Sequence, residues 1–275
     1  MTALATVTPW LRCPVCGAAL QAADRSLVCP ERHLFDVAKQ GYVNLLGHAV
    51  PAHADTAAMV AARERFLSAG RYDPITAAVA SAVPDARRLL EVGAGSGHHL
   101  ARVLDLLPLA HGLAADISVP ACRRAAKSHP RMAAVVTDTW AGLPLTDGSV
   151  DAVLCIFAPR NLTEFARVLS VDGVAVVVFP RPDHLRELRE AHGLLEVGQG
   201  KMQRLLEAAQ GHLSVVGSTD VTYDLDLSGT AATDLVAMGP NAFHGTTDVA
   251  ATQVRVSVSC VVLQKATPVK ASPRV

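Results

Sequence analysis

Apolar residues fall along this chain in short runs set between helix-like stretches, and from Arg88 onward the alternation is regular. Leu89 to Val92 reads as a short buried strand ending in glycines, and His98 to Leu106 as a helix. His111 to Asp116 is a strand ending in an acid, Val119 to Ser128 a helix, and Ala133 to Thr137 and Val150 to Ile156 are strands. Leu162 to Leu169 is a helix and Val174 to Phe179 a strand. Strands and helices in alternation imply a parallel sheet with helices on both faces. Two later runs, Leu213 to Leu227 and Gln253 to Leu263, read as long alternating strands. In the second, Val254, Val256, Val258, Cys260 and Val262 share one face, with Arg255, Ser257 and Ser259 on the other. An antiparallel pair appended to the parallel sheet is predicted.

Upstream the texture differs. The first 46 residues are cysteine-rich and predicted to form a compact module. Residues 47–84 read as a helical connector. Asp55 is the predicted N-cap of a helix through Leu67, Gly70 its stop, and Asp73-Pro74 the start of a second helix reaching about Val83. Residues 85–265 carry the α/β pattern, and 266–275, with two prolines, read as a loose tail.

Composition narrows the class. Half the residues are apolar, enough for a sizeable core, and 18% charged residues argue against wholesale disorder. The 25 basic and 25 acidic side chains cancel, which excludes a histone-like coat but not a local basic patch. The start of the chain lacks the pattern of a signal peptide, and the apolar run Val174 to Phe179 is strand-sized. A cytoplasmic protein without membrane association is expected, in which six cysteines are not a disulfide framework.

Three of those cysteines crowd the N-terminus. Cys13-Pro-Val-Cys16 is followed by twelve residues and then by Cys29-Pro-Glu-Arg-His33. A CxxC lets two thiolates reach one ion from a tight turn, and CxxxH has similar reach. Cys13, Cys16, Cys29 and His33 together make a closed tetrahedral zinc sphere with no open position, so the ion is structural. A module of about 45 residues is too small for an adequate core, and a metal supplies the missing stability.

The second candidate site follows the first α/β strand. Glu91-Val-Gly93-Ala-Gly95-Ser-Gly97-His98-His99 runs from strand through glycine loop into helix. Glycines let the backbone turn sharply and approach a ligand closely. The spacing is GxGxG, which alone also fits nucleotide-binding folds, but it is not GxGxxG, and no P-loop motif is present. Asp116 lies 19 positions after Gly97, where a ribose-binding acid belongs; Asp138 follows the next strand, and Ile156-Phe157-Ala158-Pro159 the one after. The set suits an adenosine-containing ligand and resembles the class I S-adenosylmethionine methyltransferases, which have a Rossmann-like α/β sheet.

Both halves also resemble one family. Cys13 to Leu46, including His33-Leu-Phe-Asp-Val-Ala-Lys-Gln-Gly-Tyr-Val-Asn-Leu-Leu46, is similar to the RlmA family of 23S rRNA guanine-N1 methyltransferases, and the glycine loop and Phe157-Ala-Pro159 recur in family order. Ala158-Pro-Arg-Asn161 and Met238-Gly-Pro-Asn-Ala-Phe-His244 look more like its macrolide-resistance branch. The resemblance implies methylation of N1 of one guanine in a 23S rRNA hairpin loop beside the macrolide tunnel. It implies a zinc module that helps recognise RNA, and a homodimer. It places zinc on Cys13, Cys16, Cys29 and His33, and S-adenosylmethionine among Glu91, Gly93, Gly95, Gly97, Asp116 and Asp138, with His98, His99, Phe157 and Ala158 alongside. Glu91 stands where family members often have aspartate, which leaves the acid in place.

The reaction chemistry is less legible. Guanine N1 carries a proton that must leave, and no general base stands out. His244 and Asn161 are the catalytic candidates, because their segments are expected near the crevice mouth. Phe157 and Phe243 are candidates to stack on the base. Arg12, Arg25, Arg32 and Lys39 in the zinc region, with Arg63, Arg65 and Arg71 in the connector, are candidates to contact phosphates. The core alone leaves the acceptor open, and a small-molecule methyltransferase of antibiotic biosynthesis is the alternative.

Overall fold

The computed structural model describes residues 2–52, 54–244 and 248–266, and the side chains of Phe243 and His244 also lie outside the described set. A small sheet opens the fold: β1 (Gln21–Ala23), β2 (Ser26–Val28) and β3 (Leu34–Asp36), joined antiparallel. Ahead of it, α1 (Ala3–Val7) is capped by the Thr2 hydroxyl and runs into a 3-10 turn, Thr8–Trp10. The sequence pattern predicts no element in this segment.

The large sheet contains eight strands. β5 (Arg88–Val92), β6 (His111–Asp116), β7 (Met132–Val136), β8 (Val150–Ile156) and β9 (Leu169–Pro180) pair in parallel. β4 (Val43–Asn44) adds a short parallel edge beyond β7, so the cysteine-rich segment ends inside this sheet. At the other edge β10 (Leu213–Leu227) and β11 (Thr252–Lys265) are antiparallel, the order being β10-β11-β9-β8-β5-β6-β7-β4. The appended antiparallel pair is as expected from its alternation. β11, however, is an interior strand, so Ser257 and Ser259 on its second face are buried too.

The sheet has apolar cover on both sides, which explains strands without a polar face. Along β5, Leu89 enters one core with Phe66, Ile75 and Leu104, while Leu90 and Val92 enter the other with Trp10, Leu27 and Phe165. The first core is closed by α2 (Ala57–Ser68), α3 (Asp73–Ser81), α4 (His98–Leu106) and α5 (Val119–Ala125). The second is closed by α1, by α6 (Leu162–Val168) and by side chains of the zinc region, including Cys13, Cys29 and Leu45. Three further helices, α7 (Arg186–His192), α8 (Lys201–Ala209) and α9 (Gly229–Ala237), occupy stretches where the sequence pattern predicts no element. Among the described residues no helix is long and apolar enough to cross a membrane. The expected tail is represented by Ala266; residues 267–275 lie outside the described set.

One predicted cap is corrected. α2 starts from Thr56, whose hydroxyl accepts the Met59 N–H at 3.3 Å. The Asp55 carboxylate turns instead to the Arg63 guanidinium, an ion pair that outcompetes capping.

Candidate active site and metal centre

Two tight turns assemble the metal centre. In the first, the Gly17 N–H donates to the Cys13 carbonyl at 2.8 Å and the Cys13 N–H to the Ala18 carbonyl at 2.7 Å, with Gly17 at φ +75°. In the second, the Arg32 N–H donates to the Cys29 carbonyl at 2.9 Å, with Arg32 itself left-handed at φ +62°. The four donor atoms of Cys13, Cys16, Cys29 and His33 all lie within 4.8 Å of one another. Cys16 Sγ and Cys29 Sγ are 3.6 Å apart, and His33 Nδ1 lies 3.6 Å from Cys13 Sγ and 3.4 Å from Cys29 Sγ. Tetrahedral zinc with Zn–S of about 2.3 Å and Zn–N of about 2.0 Å requires edges of about 3.5–3.8 Å. The donor set fits zinc in number, type and spacing. Desolvation raises the Cys29 thiol, but the His33 N–H and the neighbouring Cys16, His33 and Cys13 groups outweigh it and bring it down to about 7, easing formation of the thiolate a metal needs.

The crevice forms at the carboxyl ends of β5, β6, β7 and β8. Gly93, Gly95 and Gly97 all sit at positive φ, +65°, +55° and +74°. A Cβ on Gly93 would overlap the Ala158 Cβ, so the loop touches the end of β8 directly. The Asp116 carboxylate accepts the Gly95 N–H through Oδ2 and the Ser118 N–H through Oδ1, both at 2.8 Å. Each oxygen keeps a further lone pair for a ligand hydroxyl. Glu91 is buried, and its Oε2 accepts the Leu100 N–H at 3.2 Å, tying strand to helix. Burial pushes its carboxyl up to about 8. Asp138 lies two residues past β7, where its Oδ1 accepts the Trp140 N–H at 2.8 Å and Oδ2 lies 3.5 Å from His48 Nε2.

Phe157 has φ +54°, a conformation that is rare for an aromatic residue, and the residue is 41% exposed. It stacks on His184 at 5.8 Å and meets Tyr72 at 5.9 Å. His184 receives the Ser257 N–H on Nδ1, and burial, with the Arg189 charge, holds it down at about 4. Tyr72 and His184 were not among the sequence candidates. Tyr72 lies at the α2–α3 elbow and His184 in an unassigned stretch, and only the tertiary fold brings them to Phe157.

Other candidates are placed differently from expectation. His99 is buried with Nδ1 2.7 Å from the Thr76 hydroxyl, and burial holds it near 3, so it belongs to α3–α4 packing and not to the crevice. His98 is half-buried, edge-on to His99 at 5.5 Å. Asn161 caps α6, accepting the Glu164 N–H at 3.3 Å and donating to the Thr139 carbonyl at 3.1 Å; an amide held at both ends is a poor candidate for proton transfer. The side chains of His244 and Phe243 lie outside the described set; the backbone of both belongs to the 3-10 turn Pro240–His244. Two of the connector arginines, Arg65 and Arg71, are engaged elsewhere. Arg65 makes a forked pair with Asp234, and Arg71 donates to the Phe66 carbonyl. Arg63 donates to the Met238 carbonyl at 2.6 Å while pairing with Asp55, and its Nη1 lies 2.7 Å from where a Gly95 Cβ would stand. That guanidinium therefore faces the glycine loop.

Residues 11–50 match a zinc-ribbon family described as RlmA, N-terminal, and residues 89–173 match a family described as Methyltransferase domain. A Micromonospora griseorubida protein carrying the name of a 23S rRNA (guanine-N1)-methyltransferase is 46% identical over 271 residues, covering 90% of this chain and 91% of its own. The 23S rRNA (guanine(748)-N1)-methyltransferase of Streptomyces fradiae is 45% identical over 246 residues, covering 86% and 87%. A structure solved in work on thioacetal formation during echinomycin biosynthesis superposes with a TM-score of 0.50, over 72% of this chain and 83% of its own. At 14% identity that likeness speaks for the fold alone.

Proposed function

Because the chain belongs to the RlmA family of 23S rRNA (guanine-N1)-methyltransferases, we propose that it methylates N1 of the guanine corresponding to position 748. The observation that carries the reading is the joint presence of a four-donor zinc centre and a glycine crevice in one chain, with 45–46% identity running through both. Bound S-adenosylmethionine supplies an electrophilic methyl group on a sulfonium.

The chain's own residues bind and orient. The Gly93–Gly97 loop accommodates close approach of the cofactor, Asp116 receives its ribose hydroxyls, and Asp138, Phe157 and Ala158 wall the far end. Arg63, aimed at Gly95, receives the carboxylate of the amino-acid part. Exposed Phe157, propped by His184 and Tyr72, offers its face to the target guanine, which must be unpaired to present N1. Asn161 holds the Thr139 turn and so acts as a positioning residue. The zinc module and a second copy of the chain flank the RNA, and methylation lowers macrolide susceptibility; unchanged susceptibility in a fully methylated host would contradict that last step.

The Arg63 role has a sharp readout. Arg63→Ala should weaken S-adenosylhomocysteine binding at least tenfold while leaving 5′-methylthioadenosine, which lacks the carboxylate, within twofold by calorimetry. Equal losses on both ligands would show that Arg63 supports the loop and not the carboxylate. The activity itself is tested by incubating 23S rRNA with the cofactor and digesting to nucleosides: 1-methylguanosine is expected, and methylation of a metabolite with none on RNA would favour the small-molecule alternative.

A further inference from the structure

Where the segment after β8 leads into α6 and α6 packs against α8, three cations stand without acidic partners. Arg160, three residues after Phe157, is half-buried with its guanidinium 5.3 Å over the Phe179 ring. Lys201 and Arg204 occupy the first turn of α8, three positions apart and so on one face. Arg204 folds back over the preceding loop, its Nη2 3.4 Å from where a Gly198 Cβ would stand. Among the described residues none of these three cations takes part in an ion pair, although nearby Arg189 holds Glu196 and nearby Gln203 holds Glu207. Gly200 caps α8 in the left-handed conformation with no side-chain acceptor, which leaves the helix's first N–H groups open as well.

The three charges feel one another. Burial first, and then the Arg204 charge, hold Arg160 below its ordinary range; Lys201 is lowered by burial and by both arginines. α6, which starts two residues after Arg160, packs against α8, so the segment that follows Phe157 and the helix carrying Lys201 and Arg204 are neighbours. Like charges gathered without counter-charge cost stability unless an anion completes them.

We propose that Arg160, Lys201 and Arg204 form a phosphate-binding site that grips the RNA backbone next to the nucleotide presented to Phe157. The proposal rests on the rRNA reading above and adds to it the residues that hold the strand in register. Phosphate contacts fix position and carry no base information, so these cations set affinity and alignment, and the base site sets identity.

The test is the double variant Lys201→Gln/Arg204→Gln, both on the outer turn of a helix that glutamine suits. Methylation of a 23S rRNA hairpin fragment is followed across a salt series, with S-adenosylhomocysteine affinity measured in parallel. KM for RNA should rise tenfold or more with kcat and cofactor affinity within twofold, and the slope of log KM against log salt should fall by about 1.4, or about 0.7 per lost single-strand contact. Lys201→Arg/Arg204→Lys should restore the slope. An unchanged RNA KM and slope would overturn the phosphate assignment alone. A loss confined to cofactor affinity would overturn it in favour of a cofactor contact. No methylation of RNA by the unsubstituted protein would overturn the rRNA reading, and the assignment with it.

Discussion

Cys29→Ser should release the metal and abolish rRNA methylation while leaving the cofactor crevice nearly intact. A structural zinc contributes about 10–16 kcal/mol of binding free energy, comparable to or larger than the whole stability of a typical domain at about 5–15 kcal/mol. The small β1–β3 sheet has little else to hold it, since its buried apolar residues in this region are few and two of them are the zinc ligands Cys13 and Cys29. The damage stops at the shared core. Leu11 bridges to Leu145 and β4 pairs with β7, so the edge strand should loosen, but the Gly95–Asp116 contact lies at the sheet interior. Elemental analysis should find one zinc per wild-type chain and none in the variant. Methylation should fall at least a hundredfold, with S-adenosylhomocysteine affinity within about fivefold. Full zinc content and full activity in Cys29→Ser would exclude this centre.

Gly93→Ala should have the largest effect in the crevice. The left-handed backbone costs a residue with a Cβ about 1–2 kcal/mol, and here the new atom would overlap Ala158 as well. Ala158 cannot retreat cheaply, because it follows Phe157, which is held at positive φ with its ring between Tyr72 and His184. Cofactor affinity should fall at least a hundredfold. Gly148→Ala separates strain from overlap: its φ is +64°, yet no atom lies within 3.8 Å of the new Cβ. It should lower Tm by about 2–4 °C per kcal/mol of strain and leave cofactor affinity alone. Equal affinity in Gly93→Ala and wild type would place the cofactor elsewhere.

The sheet was legible in the sequence because its strands are buried on both faces, so they appear as mostly apolar runs of strand length, as Leu89 and Leu90 do by facing opposite cores. The long antiparallel pair was legible from period-two alternation. β4 was not, since two residues carry no period and its partner lies some ninety positions away. The helices α1, α7, α8 and α9 were not legible either: α5 and α6 are as short, but they stand between successive parallel strands whose alternation marks them, and these four stand outside that alternation. At the sites, the zinc ligands were readable because local spacing alone nearly determines their geometry. The glycine loop and Asp116 were readable for the same reason, joined by one Gly95 N–H bond. Tyr72, His184 and the Arg63 bonds were not, because the first two meet only at Phe157 and Arg63 reaches Met238 at the end of α9, contacts that only the tertiary fold makes. His99 misled for the converse reason: adjacency to the loop in sequence put it on the core face of α4, against Thr76.

Primer extension on 23S rRNA, treated with the protein with and without S-adenosylmethionine, tests the central claim most directly. Methylation at guanine N1 blocks Watson–Crick pairing, so the account predicts a single cofactor-dependent stop of reverse transcriptase at the guanine corresponding to position 748. Read-through at that guanine, by protein shown to bind the cofactor, would contradict it.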